Sequence, residues 1–193
     1  NYASTHNAEL IVAGAQGENS MLAKLIGSTA LRLLKTAKCP VMIVKGKDAP
    51  PQPYRQAVAA IDLTPGSAEV PELAGTIAPQ AKIELLLIFD SNQEAHMYKA
   101  GMDEALLTEY RTKALAQAEQ KLDAIVAAQG NSRMSRQILS GYPPEAICER
   151  ANALAADLIV IGKHNTRNIE EWLLGSVSKG IAYAAECDVL LNN

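Results

Sequence analysis

Gly14, Gly17, Gly27 and Ser28, in the stretch GAQGENSMLAKLIGST that follows the apolar run LIVA, have types and spacing suited to holding an anion. A glycine directly after a strand lets the chain turn off sharply, and a second one permits left-handed backbone or close approach to a ligand. Gly27 and Ser28 stand where a helix would open, and free N–H groups at such an end attract phosphate while the hydroxyl donates a hydrogen bond. The four residues read as a phosphate cradle. A second reading stays open, because glycine after a strand and serine at a helix start also occur in connections that bind nothing. No Gly-Lys-Ser/Thr follows, and the interval is too long for the dinucleotide fingerprint, so neither of those phosphate loops applies.

The segment occurs twice. A displacement of 148 residues sets LIVAGAQGENSMLAKLIGSTALRLLKTAKCPVMIV on LIVIGKHNTRNIEEWLLGSVSKGIAYAAECDVLLN without a gap. Gly14 falls on Gly162, Gly17 on Asn165, Gly27 on Gly175, Ser28 on Ser176 and Cys39 on Cys187. One module is therefore present twice, at least in part.

The elements that must position these residues alternate. APPQPYRQ (49–56) reads as a linker, followed by buried strands AVAAIDL (57–63) and IELLLIF (83–89). Between them Ser67 is expected to cap a helix over 68–78, with Pro71 in its first turn. Apolar residues from Leu107 to Ile125 recur at helical spacing over 103–128, RMSRQIL is a third strand, and the prolines at 143 and 144 open another helix. LIVIG and VLL are the last two strands, separated by the second glycine segment and a helix over 176–185. Strands without polar alternation, separated by helices, predict a doubly wound α/β domain with a five-stranded parallel sheet covered on both faces. Ligands of such sheets bind beyond the carboxyl ends of the strands, where each glycine segment lies. The expected division is residues 1–46 as the C-terminal part of a first module, 47–56 as linker and 57–193 as a complete second module. The same displacement puts most of a first copy upstream of Asn1, so the fragment must pack on that sequence, on the second copy or on another chain.

Composition narrows the function. The net charge is -3, and one Trp and one Phe are present. That offers neither the basic stripe nor the stacking platform that nucleic-acid binding uses. No apolar run approaches the roughly 18 residues of a membrane span. Cys39, Cys148 and Cys187 match neither a disulfide framework nor a metal site, and fit reduced thiols of a cytoplasmic protein.

Glycine, two residues, glycine, nine residues, then glycine with Ser or Thr resembles the nucleotide-binding motif of the universal stress protein family, and Gly14, Gly17, Gly27 and Ser28 match it in full. The likeness runs through AVAAIDLTPGS, GYPPEAICERANALAADLIVIG and GSVSKGIAYAAECDVLL. It implies tandem modules paired through their last strands, as an intramolecular pseudo-dimer or a homodimer, and two functional branches, one binding ATP and one not. It also implies that Asp62 lies near the adenosine and that Gly162, Gly175 and Ser176 face the phosphates, with Mg or Mn accompanying the nucleotide. Asn165 departs from the pattern where a glycine belongs. The first copy thus has the intact motif without its aspartate, and the second has Asp62 with an altered motif, so the first site is expected to bind nucleotide in the full protein and the second to bind weakly or to have become structural.

No catalytic residue is expected. His6, His96 and His164 are scattered, and Ser28 and Ser176 have no evident general base. The resemblance implies a stress-response protein that binds ATP and acts through module pairing or an unknown protein partner. A nucleotide-independent interaction protein is the alternative, and slow ATP hydrolysis a third reading.

Overall fold

The computed structural model describes residues 2–16, 26–46, 52–90, 97–162 and 175–192. Seven strands form one sheet: β1 (Ile11–Gly14), β2 (Val41–Val44), β3 (Gln56–Ile61), β4 (Lys82–Asp90), β5 (Met134–Gly141), β6 (Leu158–Gly162) and β7 (Asp188–Asn192). The helices described are α1 (Tyr2–Thr5), α2 (Ser28–Thr36), α3 (Val70–Ile77), α4 (Glu104–Gln129), α5 (Pro143–Ala153) and α6 (Ser176–Ala184).

The strands lie in the order β1-β2-β7-β6-β3-β4-β5. Residues 56–192 supply the five parallel strands expected, and the chain reverses its direction of winding at β3, between β4 on one side and β6 on the other. The sheet does not stop at five. β1 and β2 pair in parallel, and β2 joins β7 in antiparallel register, with Val41 opposite Leu191 and Ile43 opposite Val189. Both strands of this junction are rich in buried residues, so pairing them satisfies backbone groups at two apolar edges that would otherwise stand open.

Side chains alternate between two apolar faces. Val58, Ala60, Ile159, Ile161, Val189 and Ile43 pack under α2, α5 and α6. Ala57, Ala59, Ile83, Leu85, Val160 and Leu190 pack under α3 and α4. Residues 1–46 therefore bury their apolar face against the rest of the chain, through Ala30, Leu34, Val41 and Ile43.

Several expected boundaries hold. Asp103 caps α4 by accepting from the Leu106 N–H at 2.8 Å, and Gly130 ends it in left-handed conformation at φ 58. The expected cap at Ser67 is wrong. Pro65–Ser67 is a short 3-10 turn, α3 begins at Val70, and the buried Ser67 hydroxyl donates to the Thr64 carbonyl at 3.0 Å. The serine bonds backwards into its own turn, a local alternative open to hydroxyl side chains. The first long strand likewise ends at Ile61 and not at residue 63, because Leu63 turns left-handed at φ 59.

Candidate ligand-binding site

The carboxyl ends of β3 and β6 flank the point where winding reverses, and a cavity of about 330 Å³ opens there. Asp62, Gly162, Gly175 and Ser176 all line it. These are the four described site residues expected of the second copy, brought together across more than a hundred positions.

Each is placed by its element. Asp62 directly follows β3, and its Oδ1 accepts from the Thr64 N–H at 3.0 Å and the Thr64 hydroxyl at 2.6 Å. Those bonds hold the tight turn through left-handed Leu63, a conformation that costs about 1–2 kcal/mol in an ordinary residue. The turn aims the end of β3 into the crevice. Gly162 closes β6, and Gly175 is the N-cap of α6 with no side-chain cap. The first intrahelical bond of α6 runs from the Lys179 N–H to the Gly175 carbonyl at 2.9 Å. The N–H groups of residues 176–178 precede that bond and have no partner within the helix. Ser176, Val177 and Ser178 line the cavity, so the positive end of α6 faces it.

The opposite wall is acidic. Asp90, at the end of β4, and Asp62 both line it, with Ile88 and Leu86 between the poles. The cavity thus has a donor-rich end at α6, an acceptor-rich end at β3 and β4, and an apolar floor. Thr64, Ser67, Ser176 and Ser178 bring hydroxyls to the cavity, and Asp62 and Asp90 bring carboxylates. As cavity-lining residues, Thr64, Ser67 and Asp90 escaped the sequence reading. Asp90 carried a signal, since IELLLIFD ends a buried strand in aspartate just as AVAAID does.

The first-copy residues lie elsewhere. Gly14 ends β1, Gly27 caps α2, and the Gly27 N–H donates to the Ala15 carbonyl at 2.7 Å. Because β2 and β7 are antiparallel, these residues sit at the opposite edge of the sheet from Asp62. β1 is an edge strand with Val12 61% exposed, whereas its counterpart β6 has β3 beside it. Gly17, Asn165, His96 and His164 lie outside the described residues. His6 is exposed, stacked on Tyr2 with ring centroids 4.1 Å apart, away from the cavity. No described helix is long and apolar enough to cross a membrane.

Fold and crevice together define a doubly wound α/β protein with a polarised cavity at its switch point. The universal stress protein family model matches residues 1–45 and 53–192, and the chain belongs to that family. It is 24% identical over 189 residues to a universal stress protein of Mycobacterium tuberculosis, covering 97% of this chain and 62% of the relative. It is 27% identical to the stress response protein NhaX of Bacillus subtilis, covering 96% of this chain and 98% of the relative. A universal stress protein structure from Pseudomonas aeruginosa UCBPP-PA14 shares the fold with a TM-score of 0.73 at 21% identity, over 99% of this chain and 65% of that one. A universal stress protein solved in complex with cAMP matches with a TM-score of 0.51 at 25% identity, over 74% of this chain and 98% of that one. The chain thus spans less than two thirds of the length of the mycobacterial relative and of the Pseudomonas structure.

Proposed function

We propose that this universal stress protein binds an adenine nucleotide, ATP with Mg or Mn, in the cavity between β3, β6 and α6, and that occupancy acts through module pairing or a protein partner. The observation that carries the reading is the convergence of Asp62, Gly162, Gly175 and Ser176 on one cavity. Its chemistry fits the group: phosphates at the uncapped end of α6, and hydrogen-bond donors of the nucleoside toward Asp62 and Asp90. A cavity of about 330 Å³ lies within the range of small-molecule sites, which begins near 300 Å³. The cAMP complex of a relative lends support, cAMP being an adenine nucleotide.

Residues 1–46 are read as the closing part of a first module, 47–56 as the linker and 57–193 as the second module, with the β2–β7 junction as their pseudo-dimer contact. The 148-residue repeat and the two matched segments support this division. Gly14, Gly17, Gly27 and Ser28 then form half of a first site, which needs a carboxylate-bearing strand on the open edge of β1. Asn165 favours a second reading, a nucleotide-independent interaction protein, because the sequence has asparagine at the motif position where Gly17 stands in the first copy.

Calorimetric titration of ATP with Mg into the chain tests the proposal. Saturable binding that is lost in Ser176→Trp, which fills the cavity, is the expected result. No binding heat at two temperatures would move the assignment to the interaction protein. Steady release of inorganic phosphate would add slow hydrolysis.

A further inference from the structure

The candidate nucleotide cavity has a neighbour. A second cavity, about 590 Å³, lies beyond Asp90, between the carboxyl ends of β4 and β5 and the first half of α4. Asp90 lines both cavities. Phe89, Ile138 and Leu139 form the sheet side, and Tyr110, Ala114 and Leu115 the helix side.

The annex follows from a mismatch in length. The 26 residues of α4 span about 39 Å. The eight residues of β5 span about 27 Å. The second half of α4 is seated on the sheet through Ala118, Leu122, Ile125 and Val126. Over residues 104–117 of the first half Leu107 is buried and Ala114 half-buried, while the other side chains are largely exposed. Tyr110 and Leu115 remain 46% and 42% exposed at the mouth of the annex. Apolar surface is therefore left lining a space beside the site, with Arg111 at its rim.

Strand order fixes where this space lies relative to a bound nucleotide. The sequence β6-β3-β4-β5 sets α6, Asp62, Asp90 and the annex in a line, with neighbouring strands about 4.8 Å apart. Phosphates belong at the donor-rich end. Carboxylates repel them and accept from donors, so the nucleoside would lie toward Asp62 and Asp90, with its exocyclic amine at Asp90, the carboxylate farther along the strand order from α6. The annex opens behind that amine.

We propose that the annex is a base-side extension of the nucleotide site, and that the preferred ligand is an adenine nucleotide whose exocyclic amine carries an apolar substituent. This rests on the nucleotide reading above. The substituent would lie between Phe89 and Tyr110, gaining burial that ATP leaves unused.

The test compares ATP with ATP bearing a benzyl group on the exocyclic amine, each titrated with Mg into the full chain and into Ala114→Phe and Leu115→Arg. The wild type should bind the benzyl analogue about tenfold or more tightly than ATP, the gain expected for burying an aromatic ring. Ala114→Phe, which fills the annex, should erase that gain and leave ATP affinity unchanged. Leu115→Arg, at an exposed position, should do the same if Ala114→Phe fails to fold by circular dichroism. Equal or weaker binding of the analogue, with ATP binding intact, overturns the annex assignment alone. Failure of both ligands to bind overturns the nucleotide reading itself. Binding of free benzyladenine that ATP does not compete against would make the annex a separate site, and also overturns the proposal.

Discussion

The Tyr54 hydroxyl donates to Asp188 Oδ2 at 2.8 Å, while Asp188 Oδ1 accepts from the Lys45 backbone N–H at 2.7 Å. One carboxylate at the start of β7 thus holds both the segment that leads into β3 and the residue that follows β2. The Lys45 ammonium extends the tie by donating to the Ala182 carbonyl at 2.8 Å, in the last turn of α6, where a cation meets the negative helix end. Removing one hydroxyl in Tyr54→Phe should cost about 1 kcal/mol. Asp188→Ala should cost about 2–3 kcal/mol, because two donors lose a charged acceptor. Urea unfolding of both variants and of the double variant measures the coupling. Additive losses would mean that the Tyr54–Asp188 bond contributes nothing to stability.

Alkaline stability should depend on Cys187. Burial pushes its thiol up to about 11 from an ordinary 9.0, with Asp188 and Cys148 adding to the rise and Lys45 opposing it. A pKa raised in the folded state contributes stability that is full below the unfolded value and lost as pH climbs through the folded one. The window is therefore pH 9 to 11. Tyr54, also raised by burial and by its bond to Asp188, acts in the same direction at higher pH, whereas Lys45, lowered by burial, acts against it. Urea midpoints should fall across this window in the wild type and fall less steeply in Cys187→Ala.

Gly180 sets the distance between α5 and α6. A Cβ there would stand 2.7 Å from Pro144 Cβ and 3.1 Å from its Cγ, against a ring that cannot swing away. Gly180→Ala should push the helices apart and destabilise by about 1–3 kcal/mol. Since α6 presents its N terminus to the cavity, nucleotide affinity should fall as well, which a titration alongside the unfolding curve would reveal. Unchanged affinity with lowered stability would mean that α6 yields at its far end only.

Glu84 is buried in β4, and Arg150 of α5 meets it with two hydrogen bonds of 2.7 and 2.6 Å. The fork-to-fork geometry lets a carboxylate remain charged in the sheet's interior. Arg150→Ala should cost about 2–4 kcal/mol, below the full cost of orphaning a buried charge because Arg150 keeps 29% of its side chain exposed. Arg150→Ala with Glu84→Leu should recover much of that loss in thermal unfolding, since an apolar pair leaves no charge to solvate.

Local chemistry made much of this protein legible. Apolar runs such as LIVIG, and IELLLIF with Glu84 alone interrupting it, announced strands buried on both faces, Pro143 opened a helix where its missing N–H does no harm, and helical spacing from Leu107 to Ile125 located the long one. The 148-residue repeat exposed the relation of Gly14 to Gly162, and Asp62 stood visibly at the end of a strand. The repeat depends on comparing two distant segments, and the element signals on neighbours within a few residues. Ser67 was misread even at that range, because a cap and a backward bond to Thr64 suit the same hydroxyl.

Tertiary structure alone decided what met what. Asp62 reaches Gly175 and Ser176 only because β6 returns to the far side of β3, a choice made by the burial of two whole faces. The antiparallel seam between β2 and β7 arises where two apolar edges find each other, and Asp188 fastens it although its counterpart in the repeat is Pro40. The annex behind Asp90 comes from a helix longer than the strands beneath it. Pattern within a segment fixes its element and its buried face, because those depend on local geometry and hydration. Partners a hundred residues apart are chosen by the summed packing of the folded chain, which no local pattern contains.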